Sequence, residues 1–353
     1  MAKVETTIIS EDALRNLCVQ ILKAAKVNDN LAHIVTDHLV DADLTGHGSH
    51  GVAVRLPRYL KLMENGHLNP DAEIKTVVKK PSMAVLDGGW CFGQAVANKS
   101  LELCMQKAKE LGSYSITFRN TNHIGRLGYY GEIAARKGYI FFMVASVLPG
   151  NRQSHPDSAE ALLGTNPICF AFNWKKQLIL TDTSTSAIAE GKVAVLKARK
   201  KEAPRDSLRD QKGNETLDPN ILYEKPPGSI WPLGGSESGY KGFALAVMVD
   251  MLSGLPSGGG LSGSDAPSGT NCGFMHIIDP TQIVSSDRID EKIELWMNKM
   301  RSAKTLSGDP SIMLPGDFEV KNRIQKQTEG IEIDPENWNE LKSVAHSYNV
   351  TDI

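Results

Sequence analysis

Hydrophobic periodicity divides this chain of 353 residues into two helical ends and a mixed middle, and it limits the possible folds more than any other feature. Ser10 is placed to cap a first helix, in which apolar residues recur at i, i+3 and i+4 from position 14 to position 25. The same spacing returns at 31–42 and at 52–63, where Asn65-Gly66 marks a helix end. From about residue 75, short apolar runs typical of strands alternate with helical segments. Helical spacing resumes at 287–304 and 335–348. The pattern predicts an α/β (α+β) fold.

The mixed part contains several predicted elements. Strands are expected at 82–86, 114–118, 139–147, 168–172, 177–180 and 275–278, and helices at 94–111 and 240–252. The second of these helices is predicted to be buried. A further helix is expected to begin in Thr183-Ser184-Thr185-Ser186, residues 197–219 to form a charged surface excursion, and the Gly/Ser-rich residues 253–269 to form a mobile flap. We expect three parts: a helical part at 1–74, a mixed-sheet domain at 75–285, and C-terminal helices at 286–353 that pack back on the first part.

Charge and composition exclude several classes of protein. The formal net charge is −2, which argues against nucleic acid or an anionic membrane as the main partner. No apolar run approaches the ~20 residues that a membrane helix needs, and the first residues lack the order of a signal peptide. The five cysteines are scattered without a C-x-x-C pair, which indicates reduced thiols, and no histidine spacing indicates a metal site. These features predict a cytoplasmic protein.

The familiar nucleotide and hydrolase motifs do not apply to this chain. Residues 258–263 match G-x-G-x-x-G, but no predicted strand precedes them and no helix follows, so they lack the setting of a dinucleotide fingerprint. Residues 234–241 resemble a phosphate-binding loop only loosely, because Tyr240 precedes the lysine and no Ser or Thr follows it. Gly48-Ser49-His50-Gly51 misses the nucleophile elbow, since His47 occupies the first glycine position.

Three histidines lie in segments suited to chemistry. His47 and His50 are surrounded by glycines, and His123 ends a polar turn directly after an apolar run. Imidazole can move a proton at neutral pH, although each of these rings could simply form a hydrogen bond within its turn. Asp182 ends another apolar run and could orient an imidazole or serve a structural role.

In their joint order these segments resemble the type-2 malate/L-lactate dehydrogenase family, which also includes ureidoglycolate, sulfolactate and diketogulonate oxidoreductases and cyclic imino acid reductases. The segments that carry the resemblance run along nearly the whole chain: Gly46-His47-Gly48-Ser49-His50-Gly51-Val52, Leu56-Pro57-Arg58-Tyr59, Gly66…Pro70, Gly93-Gln94, Asn120…His123…Gly125, Leu163-Gly164-Thr165-Asn166-Pro167, Asp182…Ser184…Ser186, Gly191-Lys192, Gly213…Asp218-Pro219, Pro232-Leu233-Gly234-Gly235, Lys241-Gly242 and Leu314-Pro315-Gly316.

The resemblance implies a fold and an activity. It implies a non-Rossmann, mixed-sheet domain that binds NAD or NADP, a helical domain built by both chain ends, and a homodimer with each active site near the subunit boundary. It implies hydride transfer between the nicotinamide ring and C2 of a small 2-hydroxy or 2-oxo acid, with malate and oxaloacetate as the first choice. Two other interpretations are a reductase of cyclic imino acids of the piperideine-2-carboxylate type, and an inactive relative that acts as a binding protein.

The resemblance also implies residue roles. His123 is the preferred acid/base with His50 nearby, and a second scheme uses Ser49, His50 and Asp182 as a proton relay. Arg55 is the choice for the substrate carboxylate; it follows His50 by five positions where relatives have four, so Arg58 and Arg126 remain alternatives. The residues in cofactor-binding segments are Ser146, Thr165, Asn166, Asp182, Thr183 and Lys241.

Overall fold

A computed structural model of the chain describes residues 6–175, 177–308 and 311–351. Its helices are α1 (Glu11–Ala24), α2 (Asp29–Leu44), α3 (Val52–Glu64), α4 (Gly93–Leu111), α5 (Leu127–Arg136), α6 (Glu190–Ala198), α7 (Gly235–Ser257), α8 (Ser286–Arg301), α9 (Asp317–Glu329) and α10 (Pro335–Ser347). Short 3-10 turns lie at Gly48–His50, Pro219–Tyr223 and Pro280–Gln282.

The strands form three sheets. They are β1 (Thr7–Ile9), β2 (Lys75–Lys79), β3 (Met83–Asp87), β4 (Ser113–Thr121), β5 (Ile140–Leu148), β6 (Gln153–Ser154), β7 (Ala161–Leu163), β8 (Ile168–Trp174), β9 (Gln177–Thr183), β10 (Leu208–Arg209), β11 (Glu215–Thr216), β12 (Ser229–Ile230), β13 (Thr270–Ile278) and β14 (Ile331–Ile333). The main sheet has the order β2-β3-β4-β13-β5-β8-β9, and a smaller one has the order β11-β10-β12-β6-β7. In the main sheet β3 and β4 are parallel and every other neighbouring pair is antiparallel, which makes the sheet mixed.

The helical N-terminal part follows from capping and periodicity, as predicted. Ser10 accepts a hydrogen bond from Ala13 N at the start of α1, and Asn28 accepts one from Leu31 N at the start of α2. The apolar stripes of these helices bury Leu14, Ile21 and Leu39 in one core that extends to the main sheet. The helices α4 and α5 pack on that sheet and on each other.

The C-terminal segments return to the N-terminal part. β14 pairs antiparallel with β1, and α10 packs against α3. Arg323 of α9 donates to Asp41 Oδ1 of α2 at 2.7 Å and to Glu132 Oε2 of α5 at 2.6 Å. The two chain ends are thus joined by a strand pair and by buried charges, while the domain limits at 74/75 and 285/286 stay a prediction.

Some sequence predictions for the middle of the chain were wrong. The helix expected in Thr183-Ser184-Thr185-Ser186 begins at Glu190, because Thr183 still belongs to β9 and the next residues hydrogen-bond back to the turn at Thr165. The excursion at 197–219 contributes β10 and β11 to the smaller sheet, and Leu208 is buried in a second apolar cluster with Ile230.

The prediction of a buried helix at 240–252 holds for only one face of α7, since the other face exposes large apolar side chains. The predicted mobile flap at 253–269 begins as the last turns of α7, and Ser262 N donates to Asp250 Oδ2 at 2.9 Å, which anchors the loop that follows. The glycines at 258–263 follow a helix and precede β13, the reverse of the strand-to-helix order that the dinucleotide fingerprint requires. Among the described residues, we find no helix with both the length and the apolar character to cross a bilayer.

Candidate functional site

The turn between α2 and α3 presents Ser49 and His50. Gly46 takes a φ of +90° just after the end of α2, and the 3-10 turn Gly48–His50 leads into α3. Asp43 Oδ2 accepts the hydrogen bond of Val52 N at 2.8 Å, which secures the first turn of α3. A Cβ on Gly51 would lie 1.8 Å from Asp43 Oδ1, so glycine is required here by close packing. Asp43 and Gly51 therefore set the position of Ser49 and His50.

His123 reaches the same place from the main sheet. It follows the end of β4 and precedes Gly125, where a Cβ would overlap the His38 ring at 1.9 Å. The rings of His50 and His123 are stacked, with centroids 5.5 Å apart and an interplanar angle of 22°. Two residues that lie 73 positions apart in the chain are thus neighbours in the fold.

Each of these imidazoles has its Nδ1 engaged. His50 Nδ1 lies 3.1 Å from Ser49 Oγ, and His123 Nδ1 lies 2.8 Å from Tyr59 Oη. Gln94 Nε2 donates to the same Tyr59 oxygen at 2.7 Å. Within the described part of the chain, neither Nε2 has a hydrogen-bond partner, so both remain available to a bound molecule.

Burial and neighbouring positive charge keep both imidazoles neutral. The pKa of His50 lies well below 6.5, first because of burial and then because of the Arg55 guanidinium. The pKa of His123 is lowered in the same way, first by burial and then by the Arg55 guanidinium. The groups that act most strongly on these two rings are all basic. A neutral imidazole in a positive field can accept a proton and also attracts an anionic substrate.

The three candidate arginines lie in different settings. Arg55 is half-buried in α3, and its Nε donates to Ser49 O at 2.8 Å. Arg58 is exposed one turn further along α3. Arg126 is only 3% exposed and donates from Nη2 to Asp41 Oδ2 at 2.8 Å, while its Nε and Nη1 have no hydrogen-bond partner within residues 6–175, 177–308 and 311–351.

A cavity of about 630 Å³ adjoins His50. Ser49, Arg126, Thr165, Asp182 and Thr183 line it, together with Lys192, Arg199 and Lys326. Three residues expected near the cofactor lie outside this lining. The buried side chain of Asn166 is engaged by Val147 N and Ala246 O, Ser146 is buried in β5, and Lys241 is exposed on α7.

Asp182 lies at the cavity but does not contact His50. Its Oδ2 accepts the hydrogen bond of Gly128 N at 2.7 Å, at the start of α5. Burial raises the pKa of this carboxyl, while the Arg126 guanidinium opposes the rise. Among the described residues, Asp182 and His50 are not hydrogen-bonded to each other, and His50 Nδ1 is engaged by Ser49 Oγ.

Comparison with known proteins identifies the family. Residues 9–342 match the family described as malate/L-lactate dehydrogenase. The chain belongs to this family. It is 32% identical over 349 residues to an L-lactate dehydrogenase of Cupriavidus necator, covering 97% of this chain and 98% of the relative. It is also 32% identical to an L-sulfolactate dehydrogenase of Methanocaldococcus jannaschii, covering 96% of each chain. The structure of a malate dehydrogenase from Pyrococcus horikoshii OT3 superposes with a TM-score of 0.89 at 30% identity, covering 100% of this chain and 99% of that one.

As a member of the malate/L-lactate dehydrogenase family, the chain is a hydroxyacid dehydrogenase that uses a nicotinamide cofactor. The fold is the mixed α/β fold of the family structures. Within the residues described, no group of three or more His, Cys, Asp or Glu side chains could hold a metal ion.

Sequence reasoning gave no role to several residues that build this site. Tyr59 and Gln94 lie in segments that carry the family resemblance. The hydrogen-bonded chain from Gln94 through Tyr59 to His123 joins three separate segments, so local spacing does not indicate it. The same holds for Asp43 beneath the turn and for Asp41 beside Arg126. The only local signal was a pair of acidic residues near the end of α2, which is unusual because a helix C-terminus favours cations.

Proposed function

We propose that this protein oxidises a small 2-hydroxy acid, with malate as the first choice, and reduces the corresponding 2-oxo acid in the reverse direction. The stacked His50 and His123 rings carry this proposal, since His50 lines the cavity and neither Nε2 has a hydrogen-bond partner among the described residues. NAD or NADP supplies the hydride acceptor when bound. The protein must then take the hydroxyl proton of the substrate, which is a task suited to neutral imidazole.

His123 is our acid/base, acting at Nε2. Its Nδ1 is fixed by Tyr59, so the ring is held in one orientation. His50, supported by Ser49, lies beside it and can donate to or accept from the same substrate. A relay that uses Asp182 would require a hydrogen bond between Asp182 and His50, which the described residues do not form, so the His123 scheme is the simpler one.

The charge around the imidazoles supports a dicarboxylate. Arg55 and Arg58 are both close enough to depress the pKa of His123. A guanidinium pairs with a carboxylate through two parallel hydrogen bonds, and two guanidinium groups suit a substrate with two anionic ends. We propose that Arg55 binds the carboxylate next to C2 and that Arg58 attracts the distal one.

We propose that this cavity holds the anionic dinucleotide. The buried Arg126 guanidinium lines it and is paired with Asp41 through Nη2, but its Nε and Nη1 have no hydrogen-bond partner among the described residues, which is costly for buried donors. Arg126 would therefore hold phosphate oxygens, while Thr165, Asp182 and Thr183 offer groups for ribose hydroxyls. We place Ser146 and Asn166 behind this surface, as supports for the cofactor domain, which we propose to be of the non-Rossmann type.

Titration of the purified protein with NADH and NADPH, followed by a panel of 2-oxo acids, tests this function. Oxaloacetate, pyruvate, sulfopyruvate and Δ1-piperideine-2-carboxylate are compared by the loss of reduced-cofactor absorbance. We expect the highest kcat/KM with oxaloacetate. Turnover of the cyclic imine alone would replace our substrate class, and cofactor binding without turnover of any acid would indicate a binding protein.

We propose a homodimer formed through α7. The helix buries one face and exposes large apolar side chains on another, with Tyr240 and Leu255 at 61% each and Met248 and Met251 between them. A helix of that kind is stable when it is covered on all sides. Lys241 lies on the same helix, so it would act at the cofactor of the second copy. Sedimentation should show a dimer, and Met248→Glu should shift it toward monomer; a wild-type monomer would contradict the proposal.

The five cysteines of the chain are all free and buried. Burial raises the pKa of both Cys18 and Cys104 to about 12, so these thiols are unreactive. Unpaired thiols persist in a reducing compartment. We therefore propose a cytoplasmic location.

A further inference from the structure

A chain of three side chains ends at the nitrogen of His123 that faces away from its free Nε2. Gln94 Nε2 donates to Tyr59 Oη at 2.7 Å, and Tyr59 Oη lies 2.8 Å from His123 Nδ1. Gln94 is fully buried at the start of α4 and Tyr59 is 2% exposed in α3. Water therefore has little access to this chain, and the three residues must satisfy one another.

The hydrogens of this chain determine which nitrogen of His123 carries the proton. Tyr59 has one hydroxyl hydrogen. When Gln94 Nε2 donates to the Tyr59 oxygen, that hydrogen is left for His123 Nδ1, which must then accept it. A neutral imidazole that accepts at Nδ1 carries its proton at Nε2. In this arrangement the free Nε2 cannot take a proton from an alcohol.

The second group of the Gln94 amide provides the alternative. Gln94 Oε1 is buried and has no hydrogen-bond partner in the part of the chain that the structure describes. Rotation of the amide by half a turn would let Oε1 accept the Tyr59 hydroxyl, and the Tyr59 oxygen would then accept from His123 Nδ1–H. His123 Nε2 would then be unprotonated, with its lone pair available to the substrate. Each orientation leaves one half of the amide without that contact, so neither avoids the cost of an unsatisfied buried group.

We propose that Gln94 and Tyr59 are positioning residues that select the tautomer of His123 through the orientation of the Gln94 amide. With Oε1 toward Tyr59, His123 accepts the hydroxyl proton of the substrate at Nε2 while the hydride leaves C2. The resulting imidazolium still donates its Nδ1–H to the Tyr59 oxygen. In reduction the imidazolium returns the Nε2 proton to the carbonyl oxygen. This inference rests on the proposed role of His123.

The tautomer of His123 can be measured directly. The ¹⁵N chemical shifts of Nδ1 and Nε2 distinguish the two neutral forms, and this readout does not require turnover. We expect the wild type to show the Nδ1–H form, with Gln94 Oε1 toward Tyr59. Gln94→Leu should show the Nε2–H form instead, because Tyr59 can then donate only to Nδ1. We expect Tyr59→Phe to leave a mixture, since Nδ1 loses its partner.

Activity provides the second readout. For oxidation, Gln94→Leu should lower kcat roughly tenfold or more with KM changed less than about twofold, since a wrong tautomer removes the base without removing substrate contacts. Gln94→Glu should restore the base form, because a carboxylate only accepts. It should also move the acidic limb of the pH profile for oxidation to higher pH, because a nearby carboxylate raises the pKa of His123. The other charged or titratable groups facing His123 are Arg55, Arg58, His50 and His38, and they are unchanged in these variants.

Tyr114→Phe is the matched control. Tyr114 is also 2% exposed, and its hydroxyl donates to Lys80 O away from the histidines. This variant should leave the His123 shifts and kcat unchanged. Wild-type shifts and wild-type kcat in both Gln94→Leu and Tyr59→Phe would overturn the inference. Failure of the acid/base role itself would appear separately, as wild-type turnover in a His123→Ala variant.

Discussion

Replacing Arg323 by Met tests how α9, one of the helices near the C-terminus, is held on the rest of the fold. Arg323 bridges Asp41 of α2 and Glu132 of α5, and the side chains of both acids are 8% exposed. The methionine removes two charge-assisted hydrogen bonds at once. Asp41 keeps Arg126 and Glu132 keeps Arg136, so neither carboxylate is left fully unpaired.

The expected loss follows from that geometry. Removing one partner of a buried ion pair costs about 3–5 kcal/mol, and the remaining pairs place Arg323→Met near the lower end, at about 3 kcal/mol. At the usual unfolding entropy per residue, this corresponds to a fall in Tm of roughly 4 °C for a chain of this length.

Urea unfolding monitored by tryptophan fluorescence measures this loss. Lys321→Met is the matched control, because Lys321 is exposed on the same helix. Arg323→Lys should fall between the wild type and Arg323→Met, since it keeps the charge but loses the fork. If Arg323→Met were as stable as Lys321→Met, the chain ends would not be joined by these charges.

Three further predictions concern the site and its supports. Burial lowers the pKa of His38 to about 4, so between pH 6.5 and 4 the unfolded state binds a proton that the folded state does not. The wild type should therefore lose up to ~3 kcal/mol of unfolding free energy as the pH falls through that window, and His38→Gln should remove this pH dependence. Urea unfolding at several pH values checks this, and parallel curves for the two proteins would contradict it. Gly51→Ala should lower kcat/KM by roughly tenfold or more in the cofactor assay, because the added carbon must displace the Asp43 carboxylate. Gly48→Ala should leave Tm unchanged, because a Cβ there would lie 3.6 Å from Asp43 Oδ1. Equal Tm values and equal rates for the two variants would show that the turn is not packed this way. Arg55→Met should raise the KM for oxaloacetate by roughly tenfold or more and move the acidic limb of the oxidation profile to higher pH, since loss of the guanidinium raises the pKa of His123; an unchanged KM would transfer the carboxylate role to Arg58 or Arg126.

The sequence predicted the helices and strands that have a clear apolar period. α1, α2 and α3 bury the stripes that the spacing indicated, and β4 and β5 occupy the expected apolar runs. α9 was missed because it has no apolar stripe. Its buried residue is Glu319, and ion pairs hold the helix in place.

Long-range contacts limited the prediction of the site. His50 and His123 were expected to share a cleft, and they are stacked in the structure. The partner of His123 Nδ1 could not be read from spacing, because Tyr59 reaches it from α3 and is itself bonded to Gln94 of α4. The role of Asp182 was equally open, since a carboxylate at a strand end can face either an imidazole or a helix N-terminus, and here it faces Gly128 N.

The most direct test of the central claim is the turnover of His123→Ala. The variant is first shown to bind reduced cofactor with wild-type affinity, and kcat is then measured in both directions, with His33→Ala as a control because His33 is exposed on α2. We predict a loss of kcat of at least about 100-fold in His123→Ala, the usual contribution of a general acid/base, and wild-type rates in the control. Wild-type turnover in His123→Ala would show that another group moves the proton.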